Sequence, residues 1–427
     1  MPLRIFRQIS PSFTAVVTVV TLSAGLARSE TPYQVQWTRQ FGMPYEDVSK
    51  SVAVDSLGNI YICGDTLGGQ VSGPKPVYHD AFLTKYDSSG NLLWSRQFGT
   101  TTTEYCYAVA TDASGGVFIS GSTWGDLDGN VGAGSSDAFL TKYNDAGDRL
   151  WTQQLGSPSD ELGYSVATDA LGNAYISGRT LGVLNGNTSA GNHDAFLAKY
   201  DPTGNNLWTR QFGTADWDTG FSVATDTSGY AYVSGFTNGD LHGNTNANPG
   251  ISDVFLAKYD PEGTRIWTQQ IGTTGFDLCL SVSTDIWKHL RQWKHQYGAG
   301  RQYLRRRVRR VSIKFDPSGN KLWARQIGST QNDDGYSVST DVWGNIYISG
   351  ETYGDFDGNT SAGESDVFLT KYDPDGNKLW TRQIGTDSWD AGRAVTTDAL
   401  GNVYISGETR GTLKWFALRR RQRCVPC

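Results

Sequence analysis

Hydrophobic and polar residues alternate along this chain in short runs that recur at a nearly constant spacing. In the unit around Glu161, residues 164–169 (Tyr-Ser-Val-Ala-Thr-Asp) alternate and are rich in β-branched side chains, which predicts a strand. Further strands are predicted at 174–178, 194–200 and 206–212, separated by two tight turns and one long polar, glycine-rich loop. Each unit is therefore expected to consist of four short strands.

The unit is repeated along most of the chain. Its fourth strand carries a tryptophan that recurs every 56 to 59 residues, at Trp37, Trp94, Trp151, Trp208, Trp267, Trp323 and Trp380. A fixed period indicates one repeat architecture rather than several unrelated domains. Four antiparallel strands per unit, repeated seven times, predict an all-β fold, a seven-bladed β-propeller over residues 34–413.

Counting strands also predicts how the ring closes. The first tryptophan strand, 35–41, precedes any complete unit. The last unit, which starts at Ala394, ends before a tryptophan strand of its own. We therefore expect the N-terminal strand to complete the seventh blade.

The repeated motifs resemble those of a known family. The motif Tyr-Ser-Val-Ala-Thr-Asp-x-x-Gly-Asn-x-Tyr-Ile-Ser-Gly, followed by Asp-Ala-Phe-Leu-x-Lys-Tyr-Asp-x-x-Gly-Asn-x-Leu-Trp, is similar to the bacterial seven-bladed beta-propeller repeat (SBBP repeat) over residues 34–412. The resemblance implies an exported or surface propeller and transfers no catalytic residue. A weaker similarity to quinoprotein propellers rests on a Gly-x-x-x-Trp element, and their cofactor-binding residues are not recognisable in this sequence.

The N-terminus has the composition of an export signal. Arg4 and Arg7 precede an apolar run over 13–26, and small residues follow up to Ser29. This predicts a signal peptide over residues 1–29, with a retained anchor as the alternative. We therefore expect a secreted, periplasmic or cell-surface protein with no transmembrane segment after cleavage.

Two segments depart from the repeat. Residues 286–310 contain nine Lys/Arg and no acid, and residues 414–427 are also basic. Trp-Lys-His-Leu at 287–290 can be encoded by codons that, read one base later, give the Gly-Asn-Ile-Tyr found at 344–347. Residues 420–426 can likewise be encoded so that the same shift gives Gly-Gly-Asn-Asp-Val-Phe-Leu. We interpret both segments as frameshift products, so that blade five lacks a proper second strand and blade seven its third. A basic nucleic-acid or membrane patch is the alternative.

The cysteines occupy positions that other copies of the repeat fill differently. Cys106 and Cys279 stand where most copies have glycine, and Cys63 stands where they have serine. We interpret them as isolated substitutions, with a disulfide framework as the alternative. Cys424 and Cys427 lie in the tail that we interpret as a frameshift product, so we do not interpret them as a metal-binding or redox motif.

The strand order predicts which face of the ring binds. The long loops between second and third strands share one face with the connections between blades, and long loops on a rigid scaffold usually carry binding. A carboxylate recurs on this face near the start of each first strand, at Asp47, Glu104, Glu161, Asp218, Asp277, Asp333 and Asp390. These side chains either form a ligand-binding ring at the channel mouth or brace their own turns by accepting backbone N–H groups.

The sequence indicates a metal site less strongly than it indicates the ring of carboxylates. The loop sequences Asp126, Asp128, Asn130 and Asp355, Asp357, Asn359 resemble the start of a calcium loop, which makes Ca²⁺ the one cofactor that the sequence suggests. Turn chemistry is the alternative, because two other blades lack the acids. His79 and His193 are expected to lie too far apart on the ring to bind one metal. The repeated aspartate of the first turn, as at Asp55, is interpreted as turn-forming.

The net charge of the chain limits the classes of partner that it is expected to bind. The formal net charge is −6, although the predicted signal peptide and the two basic segments contain many of the cations. An acidic ring disfavours nucleic acid and anionic membranes. The sequence therefore predicts an exported, monomeric, non-catalytic scaffold for a glycan, protein or surface ligand. A glycan-directed hydrolase or lyase acting at the channel mouth and a pseudogene product are the alternatives.

Overall fold

The computed structural model describes residues 16–23, 34–42, 46–67, 78–285, 288–296 and 310–412, with 16–23 and 288–296 described as backbone only. These residues form four-stranded antiparallel sheets. The chain opens with β1 (Val16–Ser23) and β2 (Gln34–Phe41). Sheet 1 contains β3 (Asp47–Val54), β4 (Ile60–Leu67), β5 (His79–Tyr86) and β6 (Leu92–Phe98). Sheet 2 contains β7 (Glu104–Thr111), β8 (Val117–Thr123), β9 (Asp137–Tyr143) and β10 (Arg149–Leu155).

The pattern continues along the chain. Sheet 3 contains β11 (Glu161–Thr168), β12 (Ala174–Thr180), β13 (Asp194–Tyr200) and β14 (Asn206–Phe212). Sheet 4 contains β15 (Asp218–Thr225), β16 (Ala231–Thr237), β17 (Asp253–Tyr259) and β18 (Arg265–Ile271). Sheet 5 contains β19 (Phe276–Asp285), β20 (Lys288–Gln296), β21 (Arg310–Phe315) and β22 (Lys321–Ile327).

The last two sheets differ in how they are assembled. Sheet 6 contains β23 (Asp333–Thr340), β24 (Ile346–Thr352), β25 (Asp366–Tyr372) and β26 (Lys378–Ile384). Sheet 7 combines β27 (Asp390–Thr397) and β28 (Val403–Thr409) with the N-terminal strands, in the order β2-β1-β28-β27. Short 3-10 turns lie at Leu127–Gly129 and Leu241–Gly243. Sheets 1–4 and 6 are complete blades with described side chains, so the prediction of four-stranded antiparallel propeller blades is confirmed.

Tight turns between first and second strands are built by their aspartate. Asp55 Oδ1 accepts the backbone N–H groups of Leu57 at 2.9 Å and Asn59 at 2.8 Å. Gly58 takes φ +80°, which glycine reaches without a Cβ penalty. Asp55 Oδ2 also accepts the buried hydroxyl of Tyr61. The turn-forming interpretation of this aspartate is therefore confirmed.

The core lies between neighbouring sheets. Tyr175 and Leu197 of sheet 3 pack with Val233 and Phe255 of sheet 4 in one buried cluster, and other sheet pairs repeat this arrangement. Burial of apolar surface is worth roughly 25 cal/mol per Å². Lateral contact between blades is therefore the main stabilising term.

The fourth-strand tryptophan links each blade to the next. Trp208 Nε1 donates to Pro261 O at 3.0 Å, and Arg210 Nε donates to Gly263 O at 2.8 Å. The indole covers Gly263, where an added Cβ would lie 2.8 Å from the ring. Equivalent indole bonds join Trp37 to Ser88, Trp94 to Asp145, Trp151 to Pro202, Trp267 to Pro317 and Trp323 to Pro374.

The first strands surround a channel. Short segments that begin with a valine, contributed by β3, β7, β11, β15, β19, β23 and β27, line a space of about 330 Å³. Thr168 Oγ1 donates to Thr111 O at 2.9 Å, and five further threonines bind the preceding first strand in the same way. A second contact recurs beside it, as in the bond from Val223 N to Ser165 Oγ at 3.2 Å.

The junction between β27 and β3 has neither residue type needed for these two bonds. Val54 stands in the threonine position and Ala394 in the serine position. We expect Val54→Thr and Ala394→Ser to raise the free energy of unfolding by about 1 kcal/mol each, since each adds an inter-strand hydrogen bond. Thr168→Val should lower it by a similar amount. Denaturant titration checks the three signs, and an unchanged V54T would contradict the account.

Strands occupy the two positions that the frameshift interpretation expects to be damaged. β20 occupies the second position of sheet 5, pairing with β19 and β21, although it lies in the basic segment. β1, from the predicted signal peptide, occupies the third position of sheet 7. Backbone N–H and C=O groups pair whatever the side chains are, so an open slot between two strands accepts a segment of unrelated sequence. Residues 286–287, 297–309 and 414–427 of the two predicted frameshift segments lie outside the described residues.

Candidate functional site

The carboxylates near the start of the first strands are buried in their own turns. Glu161 is 0% exposed, and its oxygens accept Ser157 N, Ser157 Oγ and Thr180 Oγ1, each at 2.6 Å. The turn residue four positions earlier and the threonine at the end of the second strand recur in other copies. The whole set is at most 4% exposed: Asp47, Glu104, Glu161, Asp218, Asp277, Asp333 and Asp390. This geometry favours bracing over ligand binding.

A second buried aspartate approaches this set across sheet boundaries. At Gly213, an added Cβ would lie 2.3 Å from Asp194 Oδ1 and 2.8 Å from Asp218 Oδ2, so the two carboxylates flank the same glycine. Asp194 Oδ2 accepts Gln211 Nε2 at 2.7 Å. Burial, reinforced by the charge of Asp194, raises the pKa of Asp218 to about 6.

This shift predicts a pH dependence of stability. Folded Asp218 keeps its proton up to about pH 6, whereas an unfolded aspartate loses it near pH 4. The stabilising contribution is therefore complete below about pH 4 and is lost as pH rises to about 6, at a cost of roughly 2–3 kcal/mol. Asp218→Asn should remove this contribution to the pH dependence and leave that of other buried aspartates such as Asp390, whose pKa burial also raises. The exposed Asp216→Asn is the control, and parallel stability curves for D218N and the original chain between pH 4 and 7 would contradict the prediction.

The calcium-like loops are folded as turns. Asp128 takes a left-handed φ of 58°, its Oδ2 accepts Thr152 Oγ1 at 2.5 Å, and its Oδ1 pairs with Arg149. Asp126 Oδ1 accepts Gly132 N, and Asn130 Nδ2 donates to Leu127 O. The second copy has the same plan: Asp355, Asp357 and Asn359. Within the described residues, no group of three or more His, Cys, Asp or Glu side chains is arranged to hold a metal.

The two histidines belong to different sheets. His79 Nδ1 lies 3.1 Å from Asp65 Oδ2 and its ring contacts Tyr105. His193 packs on Trp217 with ring centroids 4.6 Å apart, and burial lowers its pKa. The structure does not bring the two imidazoles together.

A different set of residues distinguishes the blades at the channel. One position of each first strand, three residues after the buried carboxylate, changes from copy to copy, and we call this set the girdle: Lys50, Tyr107, Tyr164, Phe221, Leu280, Tyr336 and Arg393. All seven side chains are half-buried.

Neighbouring girdle residues touch across sheet boundaries. Tyr164 lies 5.4 Å from Tyr107 and 5.1 Å from Phe221 between ring centroids. Lys50 Nζ lies 4.7 Å from the Tyr107 ring centroid. Burial raises the pKa of Tyr107 and of Tyr164 to about 12, so both remain neutral hydroxyls at ordinary pH.

A β-bulge places these side chains. In β11, Gly163 pairs with Gly178 and Ser165 pairs with Ser177, which leaves Tyr164 as the extra residue. The same register shift occurs in the other first strands. A bulge redirects the extra side chain out of the strand's alternation, and bulges are common beside functional sites. The fold therefore presents a variable residue from a constant backbone.

Charged girdle residues are paired with acids on the neighbouring second strand. Lys50 Nζ lies 2.5 Å from Asp65 Oδ1, and Arg393 Nε lies 2.5 Å from Glu408 Oε1. Tyr336 donates its hydroxyl to Glu351 at 2.7 Å. One part of the girdle is thus aromatic, and another part carries ion pairs.

The girdle does not stand out among the residues that recur in every repeat, because it is the position that varies. Aligning the seven copies against each other exposes the position, since Lys, Tyr, Phe, Leu and Arg alternate there between nearly constant neighbours. Variation on an otherwise constant scaffold is the expected pattern of a binding surface.

Comparison with known sequences supports the repeat assignment. The family model described as the SBBP beta-propeller repeat matches residues 36–69, 93–128, 150–185, 207–242, 322–357 and 379–413. Regulatory protein FlaEY of Caulobacter vibrioides is 30% identical over 193 residues, covering 42% of this chain and 19% of that protein. An uncharacterized WD repeat-containing protein of Acanthamoeba polyphaga mimivirus is 24% identical over 469 residues, covering 85% of this chain and 33% of that protein. The chain thus spans a third or less of these relatives.

Solved structures are more distant. The WD40 domain of Neurospora crassa Pan2 aligns with a TM-score of 0.47 at 10% identity, over 86% of this chain and 91% of that domain. A protein of unknown function from Bacteroides caccae aligns with a TM-score of 0.39 at 12% identity, over 71% and 89%. Among the described residues, no helix has the length and apolar character needed to cross a bilayer.

Proposed function

Because the chain belongs to the SBBP family of beta-propeller repeat proteins, we propose that it is a seven-bladed ring that binds a partner through its long-loop face without catalysing a reaction. The seven four-stranded sheets and the seven first strands around one channel support the blade count. Closure by the N-terminal strand is supported by Trp37 and Arg39 of β2, which donate to Ser88 O and Gly90 O of sheet 1.

The girdle carries the proposal of binding. The buried carboxylates, turns and tryptophan contacts repeat from sheet to sheet, whereas the girdle is asymmetric and half-exposed at the channel mouth. Aromatic faces next to polar, charge-paired groups suit a glycan or a protein side chain, because they offer apolar contact with a few fixed hydrogen-bonding groups. The outer aromatics Trp124 and Trp217, 40% and 48% exposed, enlarge this surface.

Export is part of the same proposal. The N-terminal residues 1–29 have the pattern of a cleaved signal, and the acidic ring suits a secreted, periplasmic or surface protein acting as a monomer. Cleavage at that point would remove β1 from sheet 7 and leave β2, β27 and β28 as the strands of that blade. On the same face, Ca²⁺ binding by the calcium-like loops and ligand binding by the carboxylate ring are secondary candidates.

The test is a binding screen on the full chain against neutral and acidic glycans, with Ca²⁺ or with a chelator. For a glycan that binds, Tyr164→Ala should weaken binding at least tenfold, while Tyr164→Phe keeps the ring and most of the affinity. Trp343→Ala is the matched control, because this aromatic is 60% exposed on the opposite, short-turn face. Equal losses in Y164A and W343A would contradict the assignment.

Catalysis at the channel mouth is the weaker alternative. A glycan hydrolase or lyase needs an acid and a base held in different protonation states. Asp65, Glu351 and Glu408 are already engaged by Lys50, Tyr336 and Arg393. A pseudogene product that does not fold is the third alternative, and a cooperative melt comparable with that of a frame-restored chain would exclude it.

A further inference from the structure

Two cysteines face each other across the boundary between sheets 1 and 2. Cys63 lies on β4 and Cys106 on β7, and both are 0% exposed. They belong to one buried cluster that also contains Leu83 and Val109 from the two sheets. Both are thiols in the structure.

The equivalent residues elsewhere show how close these positions are. Ser349 occupies the Cys63 position and Gly392 the Cys106 position at the boundary between sheets 6 and 7. Ser349 Oγ donates to Gly392 O at 3.3 Å, and an added Cβ at Gly392 would lie 3.4 Å from Gly350 O. A side chain at the first position therefore reaches the backbone of the second. Burial, followed by the neighbouring Cys106 thiol, raises the pKa of the Cys63 thiol.

The rest of the ring provides an internal comparison. Cys279 also occupies the Cys106 position, but the residue opposite it is Ser234. Within the described repeats, cysteine fills both facing positions at one boundary, which joins β4 of sheet 1 to β7 of sheet 2. A disulfide first requires two side chains directed at each other over a short distance, and the Cys63 thiol lies within hydrogen-bonding reach of the Cys106 thiol.

We propose that Cys63 and Cys106 form a disulfide that joins the first two blades once the folding chain meets a disulfide oxidant. One thiolate attacks the oxidant's disulfide and releases one reduced thiol, and the second cysteine then displaces the other. The two cysteine thiols lose two electrons and two protons, and the oxidant becomes two thiols. Because both sulfurs are fully buried, the bond forms before the boundary packs and is afterwards shielded from reductant.

The test uses the full chain, refolded with oxidised and reduced glutathione, then denatured, alkylated and digested without reduction. Mass spectrometry should find a peptide joining residues 63 and 106 and an alkylated Cys279. Cys63→Ser and Cys106→Gly are matched variants, since each restores the residue of other repeats, and each should abolish the joined peptide. Alkylated Cys63 and Cys106 in the oxidised chain, or a bond from either to another cysteine, would overturn the proposal.

A second readout does not depend on peptide mapping. Denaturing and refolding the oxidised chain with reductant should lower its Tm by roughly 3–6 °C, because the bond closes a long loop of the unfolded chain. The same treatment should leave the Tm of C63S unchanged, and should still lower that of Cys279→Ser. An equal response of all three proteins would count against the bond.

Discussion

Replacing Glu161 by alanine should lower the free energy of unfolding by about 3–4 kcal/mol. The change leaves Ser157 N, Ser157 Oγ and Thr180 Oγ1 without their acceptor inside a fully buried turn. An unsatisfied buried donor costs about 1–3 kcal/mol, and the loss is larger when the missing partner was charged. Urea denaturation followed by tryptophan fluorescence would measure the effect.

Two further variants separate the origins of this loss. Glu161→Gln keeps one acceptor oxygen for the two hydroxyls and should lose about half as much stability. Glu262→Ala removes an exposed carboxylate and should change stability by less than about 0.5 kcal/mol. If E161A were as stable as E262A, bracing would be wrong, and a ligand role for the carboxylate ring would become the better interpretation.

The carboxylate ring shows what a sequence pattern does and does not determine. Recurrence at a fixed place in the repeat predicted that the seven residues occupy equivalent positions, and they do. Recurrence alone could not distinguish bracing from binding. The distinction depends on whether hydroxyls from a residue four positions earlier and from the second strand converge on the same oxygens, which only coordinates reveal.

The girdle was harder to predict because it depends on a bulge. In a regular strand starting at Glu161, Tyr164 and Val166 would point to the same face, because side chains two residues apart share a face. The extra residue between Gly163 and Ser165 changes that parity, and the glycine inside the strand is the one local signal of the bulge. The sequence therefore predicted the carboxylate ring as the binding site, whereas the structure favours the girdle, whose side chains are placed by a one-residue irregularity in strand pairing.

Sheets 5 and 7 contain strands that the sequence pattern does not predict. The strand count predicts that the Trp37 strand joins the last blade because it leaves that strand without another partner, and β2 lies in one sheet with β27 and β28. Closure of the ring by this strand stays a proposal. The occupants of the vacant positions, β1 and β20, could not be predicted, since backbone pairing imposes no sequence pattern that identifies them.

Replacing Gly263 by alanine should lower the free energy of unfolding by about 3 kcal/mol. Its φ is +80°, which costs a non-glycine residue roughly 1–2 kcal/mol. The new methyl group would also lie 2.8 Å from the Trp208 indole, closer than packed carbon atoms approach. Moving the indole would strain its bond to Pro261 O and its contact with Tyr175, whose ring centroid is 5.9 Å away.

Gly243→Ala is the matched control for this prediction. Gly243 has φ +82°, yet no atom lies within 4 Å of an added Cβ, so its substitution carries only the conformational cost. The difference in unfolding free energy between G263A and G243A therefore isolates the tryptophan contact between blades. We expect at least about 1 kcal/mol, because displacement of an indole affects two sheets at once. Equal values would mean that the indole moves freely and that the tryptophan period, although it reveals the fold, contributes little to holding neighbouring blades together.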